Sequence, residues 1–547
     1  MKPAQTPGMS RRHFIALGSA LPAVPRIRRA PERPAQQPGG KLFLFVDWYH
    51  VKKGDLKAVL DPRRVSEQGR LARARFAQEF NLSFEDGEHG FQRLDVPHGV
   101  SITPEPAERS KPWLVPDRPW EKMLAWTTVL RDEGRYRCWT QTILNGQKTK
   151  LTIEGGRAME VSGSATSYAE SVDGWNWTKP ALKLYSWGGS LDNNLVSPDG
   201  NSASVFRDDH GPAEERYKMT HFDALPKEAA ASKPQYGLYG VTSPDGFRWK
   251  RNPKPLVRYF SDTENVIAWD PLLGKYVGYF RQHVSGRTIA RAETDDFWSW
   301  PPLQPLFYPG PMDSPADDFY TNGYTVYPDD PSLRLLFASI YHHDSDGSDV
   351  RLAVSREGRA FQWLSLEPII RVGEAGAWDS AQIYPGPNLL HLPDGRLALP
   401  IRGHDTSHNE HWFQAFYDRY PRGSGIGWAL WKDGRLAGIE AAHIGEFTTK
   451  PARFDAARIQ LNARTARAGS IEVELREQAP GGSSRRDAAP GKAIEGFSFA
   501  DCVPFRGDEV WSDCRWKSKT DLAGLRGRDI EMAFRLTAAK LFASRWA

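Results

Sequence analysis

Five carboxylates stand where the chain is about to enter separate β-rich segments: Asp47, Glu121, Asp262, Asp318 and Asp379. Two carboxyls facing one pocket can divide proton chemistry between them. Burial and crowding keep one protonated to donate to a leaving oxygen, while the other stays ionised as base or nucleophile. Cleavage of a glycosidic bond needs that pairing. Groups able to complete such a site accompany them. Asn193 and Asn194 offer amides, Tyr320, Trp378 and Trp269 offer ring faces, and Arg281, His283, Arg402 and His404 offer donors for hydroxyls or an anionic substituent. Taken singly, each acid reads as a turn cap or an acceptor for backbone amides. As a set they share one end of successive strands, which capping alone does not require.

A repeat supplies the means of gathering them. Ser171-Val-Asp-Gly-Trp-Asn-Trp177, Ser243-Pro-Asp-Gly-Phe-Arg-Trp249, Thr294-Asp-Asp-Phe-Trp-Ser-Trp300 and Ser355-Arg-Glu-Gly-Arg-Ala-Phe-Gln-Trp363 are four copies of one turn, and Trp431-Lys-Asp-Gly434 is a weaker fifth. The turn positions Gly174, Gly246, Phe297, Gly358 and Gly434 are 72, 51, 61 and 76 residues apart, too far for a solenoid and suited to a four-stranded blade with loops. Asp-Gly makes a tight turn with positive φ, and the tryptophan beyond it packs back over the hairpin. The repeat predicts an all-β chain built on a five-bladed β-propeller over 41–450. Innermost strands begin near Glu121, Asn193, Asp262, Asp317 and Trp378, with Asp47 on a strand just before the first blade. In such a ring the strand entrances converge on a central channel.

The rest of the chain is read around that ring. Among 547 residues the formal charge is only +5, without a basic stripe, so no nucleic-acid partner is expected. Residues 1–40 carry Arg11 and Arg12 ahead of a short, weakly apolar stretch, the pattern of a twin-arginine export signal and linker. That stretch is too short for a stable membrane span, and the expected location is periplasmic or extracellular. Asp55–Leu60 reads as a short helix or turn, and Pro62–Arg118 largely as loop. After Pro451 the turn rhythm stops, and strict alternation in Ser470–Arg476 and Ile530–Leu536 predicts a β-sandwich over 451–547. Of the three cysteines, Cys502 and Cys514 either bridge in an oxidising compartment or remain buried thiols, with Cys138 unpaired. No cofactor is expected. A structural calcium on channel aspartates is compatible with the sequence but unmarked, and His342-His343 with Asp344 and Asp346 reads as a solvated hairpin tip rather than a metal site.

Arg118-Pro-Trp-Glu121, Tyr168-Ala-Glu-Ser-Val-Asp-Gly174, Asn193-Asn-Leu-Val196, Asp262-Thr-Glu-Asn265, Ala500-Asp-Cys-Val-Pro-Phe505 and Ala539-Lys-Leu-Phe-Ala543 together resemble bacterial secreted proteins similar to the N-terminal domain of glycoside hydrolase family 32. The resemblance runs over the chain after residue 40. It implies a place near the five-bladed superfamily of families 32 and 43, and a carbohydrate substrate. The Trp-Met-Asn-Asp-Pro, Arg-Asp-Pro and Glu-Cys motifs of family 32 are absent as such, and Arg207-Asp208 runs into Asp209 instead of proline. By position alone, Glu121 or Asp47 stands for the blade-one carboxylate and Asp262 or Glu264 for the blade-three acid. The expectation is an exported glycosidase acting at the channel mouth. Two alternatives are a non-catalytic carbohydrate-binding propeller and a six-bladed sialidase-like enzyme, which would need a sixth blade from 41–118 and three substrate-binding arginines.

Overall fold

In the computed structural model the repeated turn is held by its own side chains. Ser171 Oγ accepts the Gly174 amide at 2.9 Å, and Asp173 Oδ1 accepts the amides of Trp175 and Asn176, each at 2.8 Å. Ser243 and Asp245 repeat both contacts in the second copy. The tryptophan then closes the turn: Trp177 Nε1 donates to Gly174 O at 2.9 Å, Trp249 to Gly246 O at 3.0 Å, and Trp300 to Phe297 O at 2.7 Å. Gly174, Gly246, Gly358 and Gly434 all have positive φ, as the Asp-Gly reading requires. Each short polar side chain satisfies amides that the reversal would otherwise leave unpaired.

The structure describes residues 40–547 apart from 61–65, 81–83, 87–89, 146–148, 154–157, 162, 226–234, 411–422, 478–490 and 520. The described residues are almost all β, with a single α-helix, Glu67–Phe80. Three antiparallel four-stranded sheets are followed by one ten-stranded sheet, whose two halves are named sheets IV and V. Sheet I runs Glu121–Asp132, Arg135–Leu144, Ser164–Ser171, Leu195–Ser197. Sheet II runs Ser204–Arg207, Tyr217–Ala224, Tyr236–Ser243, Lys250–Val257, and sheet III runs Val266–Asp270, Lys275–His283, Arg287–Thr294, Gln304–Pro305. Sheet IV starts from Asp317–Thr321 and Tyr324–Tyr327, then Asp330–His342, Gly347–Ser355 and Gln362–Trp363. Sheet V starts from Gln382–Pro385 and continues with Arg396–His404 and Ser424–Lys432. Its fourth strand is Glu108–Arg109, from far earlier in the chain. A single parallel bridge, Ser348 to Gln382, links sheets IV and V.

Hydrogen bonds between neighbouring sheets form a cycle. Thr128 Oγ1 of sheet I accepts the Val205 amide of sheet II, and Thr220 Oγ1 of sheet II donates to Asn265 O, at the entrance to sheet III. Asn322 Nδ2, between the two inner segments of sheet IV, donates to Tyr279 O of sheet III, and Ser348 Oγ of sheet IV donates to Ile383 O of sheet V. Asn388 Nδ2 then donates to Val129 O of sheet I at 3.2 Å. The repeated turns add a second set of ties. Gly174 O also accepts Trp428 Nε1 from sheet V, Gly246 O accepts Trp139 Nε1 from sheet I, and Gly358 O accepts the Tyr279 hydroxyl from sheet III. One carbonyl therefore serves its own turn and the preceding sheet through its two lone pairs. The fifth turn points elsewhere: Asp433 O accepts Asn462 Nδ2 and Asp433 Oδ2 accepts Trp511 Nε1, both from the C-terminal region.

That region is an eight-stranded sheet dominated by Ile459–Glu477 and Asp529–Trp546, paired along nearly their whole length. Register breaks at Thr465/Ser470 and Ala441/Ile444 bend it, and Leu461, Val473, Phe534 and Trp546 share one core. The sheet also recruits Leu42–Leu44, Ser101–Pro104 and Ala437–Thr448, so the boundary expected at 450 falls within a pairing network. Asp55–Leu60 is a strand, not a helix or turn, and Glu67–Phe80 supplies a helix where loop was expected. The described part of 41–118 gives no sixth four-stranded array, because its strands are shared among the C-terminal sheet, a three-stranded sheet and the edge of sheet V. The first inner-strand expectation for sheet II also fails. Leu195–Ser197 is the outer edge of sheet I, and sheet II begins at Ser204. All three cysteines are free. No helix of the described residues is long and apolar enough to cross a membrane. The expected export signal lies outside the described residues.

The turn geometry predicts two different costs for one substitution. Gly246 has φ +80, and a Cβ there would lie 2.7 Å from the Trp139 ring, whereas Gly134 has φ +78 with nothing within 4 Å. Gly134→Ala should cost about 1 kcal/mol from backbone strain alone, and Gly246→Ala about 1 to 3 kcal/mol more from the clash at the inter-sheet tie. Denaturant unfolding of both variants checks this; equal losses would show that the tie adds nothing.

Candidate active site

Side chains from several sheets meet at the inner strands. Trp126 comes from sheet I, Tyr320 and Tyr341 from sheet IV, and Tyr384 from sheet V, and together they form one buried aromatic cluster. Trp126 meets Tyr384 edge-on with centroids 5.4 Å apart, and Tyr320 lies 5.4 Å from Tyr384. Trp126 reaches this point because its strand slips register between Leu124 and Thr127, which re-aims the residues that follow. His408 borders the cluster, 5.1 Å from Tyr320 and 5.0 Å from Tyr341. The Tyr384 hydroxyl donates to Gln382 Oε1 at 2.7 Å, so the His408 Nδ1 found 3.0 Å away is the N–H that donates to it.

Cations surround the rings. The Arg281 and Arg287 guanidiniums lie 4.9 and 5.0 Å from the Tyr320 ring centre, and Arg402 lies 4.6 Å from Trp126 and 4.5 Å from Tyr384. Arg281 Nη2 is paired with Asp262 Oδ1, and Arg287 Nη1 with Asp318 Oδ2 at 2.7 Å. The acid near Arg402 is Glu264, which is fully buried and linked to the Thr128 hydroxyl. Burial drives the Glu264 pKa well above the usual carboxylate range, and the opposing pull of Arg402 is the smaller effect. Its Oε1 has no hydrogen-bond partner. Asp318 behaves oppositely. Burial would raise it, but the Arg287 amide, His343 and the Arg287 guanidinium outweigh burial and hold it below the usual range. One carboxyl disposed to carry a proton, near Arg402, and another disposed to stay ionised, beside Arg287, thus accompany the arginines of one aromatic cluster, the division of labour that acid–base catalysis uses.

The expected residues divide clearly. Tyr320, Arg281 and Arg402 reach the cluster, with Asp262 and Asp318 tied to its arginines, and His404 follows Arg402 on the same face of its strand. Asp47 does not: it is bound by Arg356 Nε at 2.7 Å on the fourth turn motif. Glu121 accepts Lys179 Nζ at 2.6 Å and the amides of Asp117 and Arg118, and burial still raises its pKa. Asp379 lies 3.0 Å from Arg109 Nε and packs against Gly403, whose position in the strand faces opposite to Arg402. Trp378 covers Gly403 and Gly427 in the same place. Asn193 and Asn194 are spent on backbone, donating to Tyr185 O and Tyr168 O, while Asn194 Oδ1 accepts Trp120 Nε1. These are the turn-cap roles that any single polar residue at a strand entrance can take.

Trp126, Tyr384, Arg287 and His408 were not singled out in the sequence, and Glu264 entered only as a positional alternative to Asp262. Their signal was weak. An aromatic inside an alternating strand reads as core, and only the bulge and strand order reveal which ones reach the shared aromatic cluster. The His342-His343 tip is an ion-pair hub and not merely solvated. His342 contacts Asp317 at 2.7 Å and Asp349 at 3.3 Å, and His343 contacts Asp318 at 2.9 Å. One His and acid cluster with ligand-like spacing occurs among the described residues, Asp329, His391 and Asp433, and its His391–Asp329 contact of 2.7 Å already satisfies it as an ion pair.

No protein-family model matches the chain, and no curated protein matches it either. Solved structures that resemble it include an N-acetylgalactosamine deacetylase from F. plautii in complex with blood group B trisaccharide, 15% identical with TM-score 0.39, covering 62% of this chain and 97% of that one. A β-1,2-mannobiose phosphorylase from Listeria innocua is 12% identical with TM-score 0.41, covering 60% and 97%. A thermostable family-43 glycoside hydrolase is 15% identical with TM-score 0.36, covering 59% and 94%. None of them lends a residue role to this chain.

The hub beside the site predicts a pH signature. Hydrogen bonding to Asp349, with a second contact to Asp317, raises His342 from the ordinary 6.5 to about 9. A raised folded-state pKa gives stability that is fully present below the unfolded value and is lost as pH rises through the folded one. His342→Gln should therefore cost on the order of 2 kcal/mol near pH 6 and almost nothing near pH 10. Denaturant midpoints of parent and variant at the two pH values test this, and a gap independent of pH would refute the assignment.

Proposed function

We propose that the chain is an exported glycoside hydrolase: a five-bladed β-propeller followed by a β-sandwich, allied to the superfamily of families 32 and 43, working in the periplasm or outside the cell after twin-arginine export. In this reading the aromatic cluster of Trp126, Tyr320 and Tyr384 receives a sugar ring. Glu264 donates its proton to the glycosidic oxygen as the C–O bond breaks, and Asp318 or Asp262, each paired with an arginine, serves the anomeric carbon as nucleophile or as base for the attacking water. The observation that carries the proposal is the buried Glu264 carboxyl, unpartnered at Oε1 and near Arg402, whose guanidinium lies against the Trp126 and Tyr384 rings. Buried acids with raised pKa values are suited to proton donation at neutral pH. No cofactor enters this chemistry.

A specific observation favours a second reading, carbohydrate binding without turnover. Asp262 and Asp318, the two acids offered as partners for Glu264, are each engaged by an arginine, as purely structural ion pairs would be. The two readings separate in one experiment. Incubation of the protein with a panel of plant and bacterial oligosaccharides, read by chromatography, should show cleavage of at least one. Glu264→Gln should lower that kcat by about 10² to 10⁴ while affinity, measured by calorimetry, changes little. A parent protein that binds an oligosaccharide but leaves it intact would establish the binding reading instead.

A further inference from the structure

The donors around the aromatic cluster exceed the acceptors. Arg281 is buried, with its pair to Asp262 made through Nη2, and its Nε and Nη1 have no acceptor. Arg287 Nε and Arg402 Nε are likewise buried atoms without an acceptor. Arg281 and Arg287 are each paired with a carboxyl group, Asp262 and Asp318. Arg402 faces Glu264 and the hydroxyls of Tyr320 and Tyr384. His343 is engaged with Asp318, and His283 is held in its neutral form by burial and by Arg281 and Arg287. Asp346, the remaining carboxylate at the cluster among the described residues, is engaged by the Tyr341 hydroxyl and the Asn409 amide, so with Glu264 protonated Arg402 has no carboxylate salt bridge. Enclosing a guanidinium in that way is costly unless something of opposite charge joins it. Three guanidiniums with unused N–H groups beside the aromatic cluster suit a planar or tetrahedral oxyanion, since forked donors match carboxylate, sulfate and phosphate oxygens. A neutral sugar would satisfy the rings and leave Arg402 without a counter-charge.

We propose that the cluster of Arg281, Arg287 and Arg402 around Tyr320 is an oxyanion subsite, so that the protein acts on a sugar in the company of an acidic group. This inference rests on the carbohydrate reading above. The oxyanion has two sources: a carboxylate or sulfate carried by the glycan itself, or free inorganic phosphate bound beside a neutral one. Arg402 is its anchor, because it alone among the three lacks a paired carboxylate.

Calorimetric titration of the whole protein at fixed ionic strength tests the subsite with four probes: glucuronate, glucose 6-sulfate, inorganic phosphate and glucose. The expected result is at least ten-fold tighter binding of one of the oxyanions than of glucose. Arg402→Gln should abolish the preference and Arg402→Lys should keep part of it, with thermal unfolding verifying that both variants fold. Preference for the acidic sugars assigns the oxyanion to the glycan, and preference for phosphate alone assigns it to a free co-substrate. If glucose binds as well as the oxyanions, or if Arg402→Gln keeps their preference, the subsite is refuted. Cleavage of neutral oligosaccharides that depends on Glu264 but is indifferent to phosphate would overturn the oxyanion inference and leave the hydrolase reading standing. If no oligosaccharide is cleaved but oxyanions bind through Arg402, the hydrolase reading fails and the subsite survives.

Discussion

The arrangement depends on a carbonyl that accepts two hydrogen bonds. At Gly174 and again at Gly246, one lone pair takes the indole of the residue that closes the turn, and the other takes an indole from the preceding sheet. Because that carbonyl is buried, loss of either donor leaves a polar atom with fewer partners, a cost comparable to the hydrogen bond itself. The turn is thus a hairpin closure and an inter-sheet clamp in one. It spaces the sheets so that the inner-strand contacts, from Thr128–Val205 round to Asn388–Val129, can form. Glu108–Arg109 completes sheet V from the N-terminal side, which ties two distant parts of the chain into one array.

From that spacing follows the electrostatics of the interior. Glu264 sits just before the first strand of sheet III, Arg402 on the second strand of sheet V, and Trp126 on the first strand of sheet I. Only strands gathered about a common interior bring these three together. Buried aromatic side chains line it, so a carboxyl there pays heavily for ionising and a guanidinium is weakly screened. Neighbouring acids escape this fate where an arginine meets them with both its guanidinium and its backbone amide, as Arg287 does at Asp318. Protonated and ionised carboxyls thus coexist through local differences in partnership.

Legibility in the sequence followed the range of the interactions involved. The turns were readable because Ser, Asp, Gly and Trp act within a few residues of one another, and the structure has the hydrogen bonds that their spacing implies. Strand entrances were less so. Leu195–Ser197 joins the outer edge of sheet I, and the slip at Leu124/Thr127 turns Trp126 inward while Glu121 is occupied by Lys179; neither event has a local signature. Asp379 and Asp47 resemble Asp318 as residues, but Arg109 and Arg356, remote in sequence, claim them. Tyr320, Arg281 and Arg402 were recognisable as sugar- or anion-binding types. Trp126 and Tyr384 were not, because an aromatic on a buried strand serves a core equally well. Chemistry at this site is a property of register, which composition cannot encode.

The central claim is that side chains from separate sheets share one water-poor interior, where Glu264 keeps its proton and feels Arg402. Infrared difference spectroscopy of the Glu264 carboxyl, taken between the parent and Glu264→Gln and repeated in an Arg402→Gln background, measures that directly. The account predicts a protonated C=O band at neutral pH, with a titration midpoint that moves still higher when the guanidinium is removed. An ionised carboxylate band at neutral pH, or a midpoint indifferent to residue 402, would contradict it.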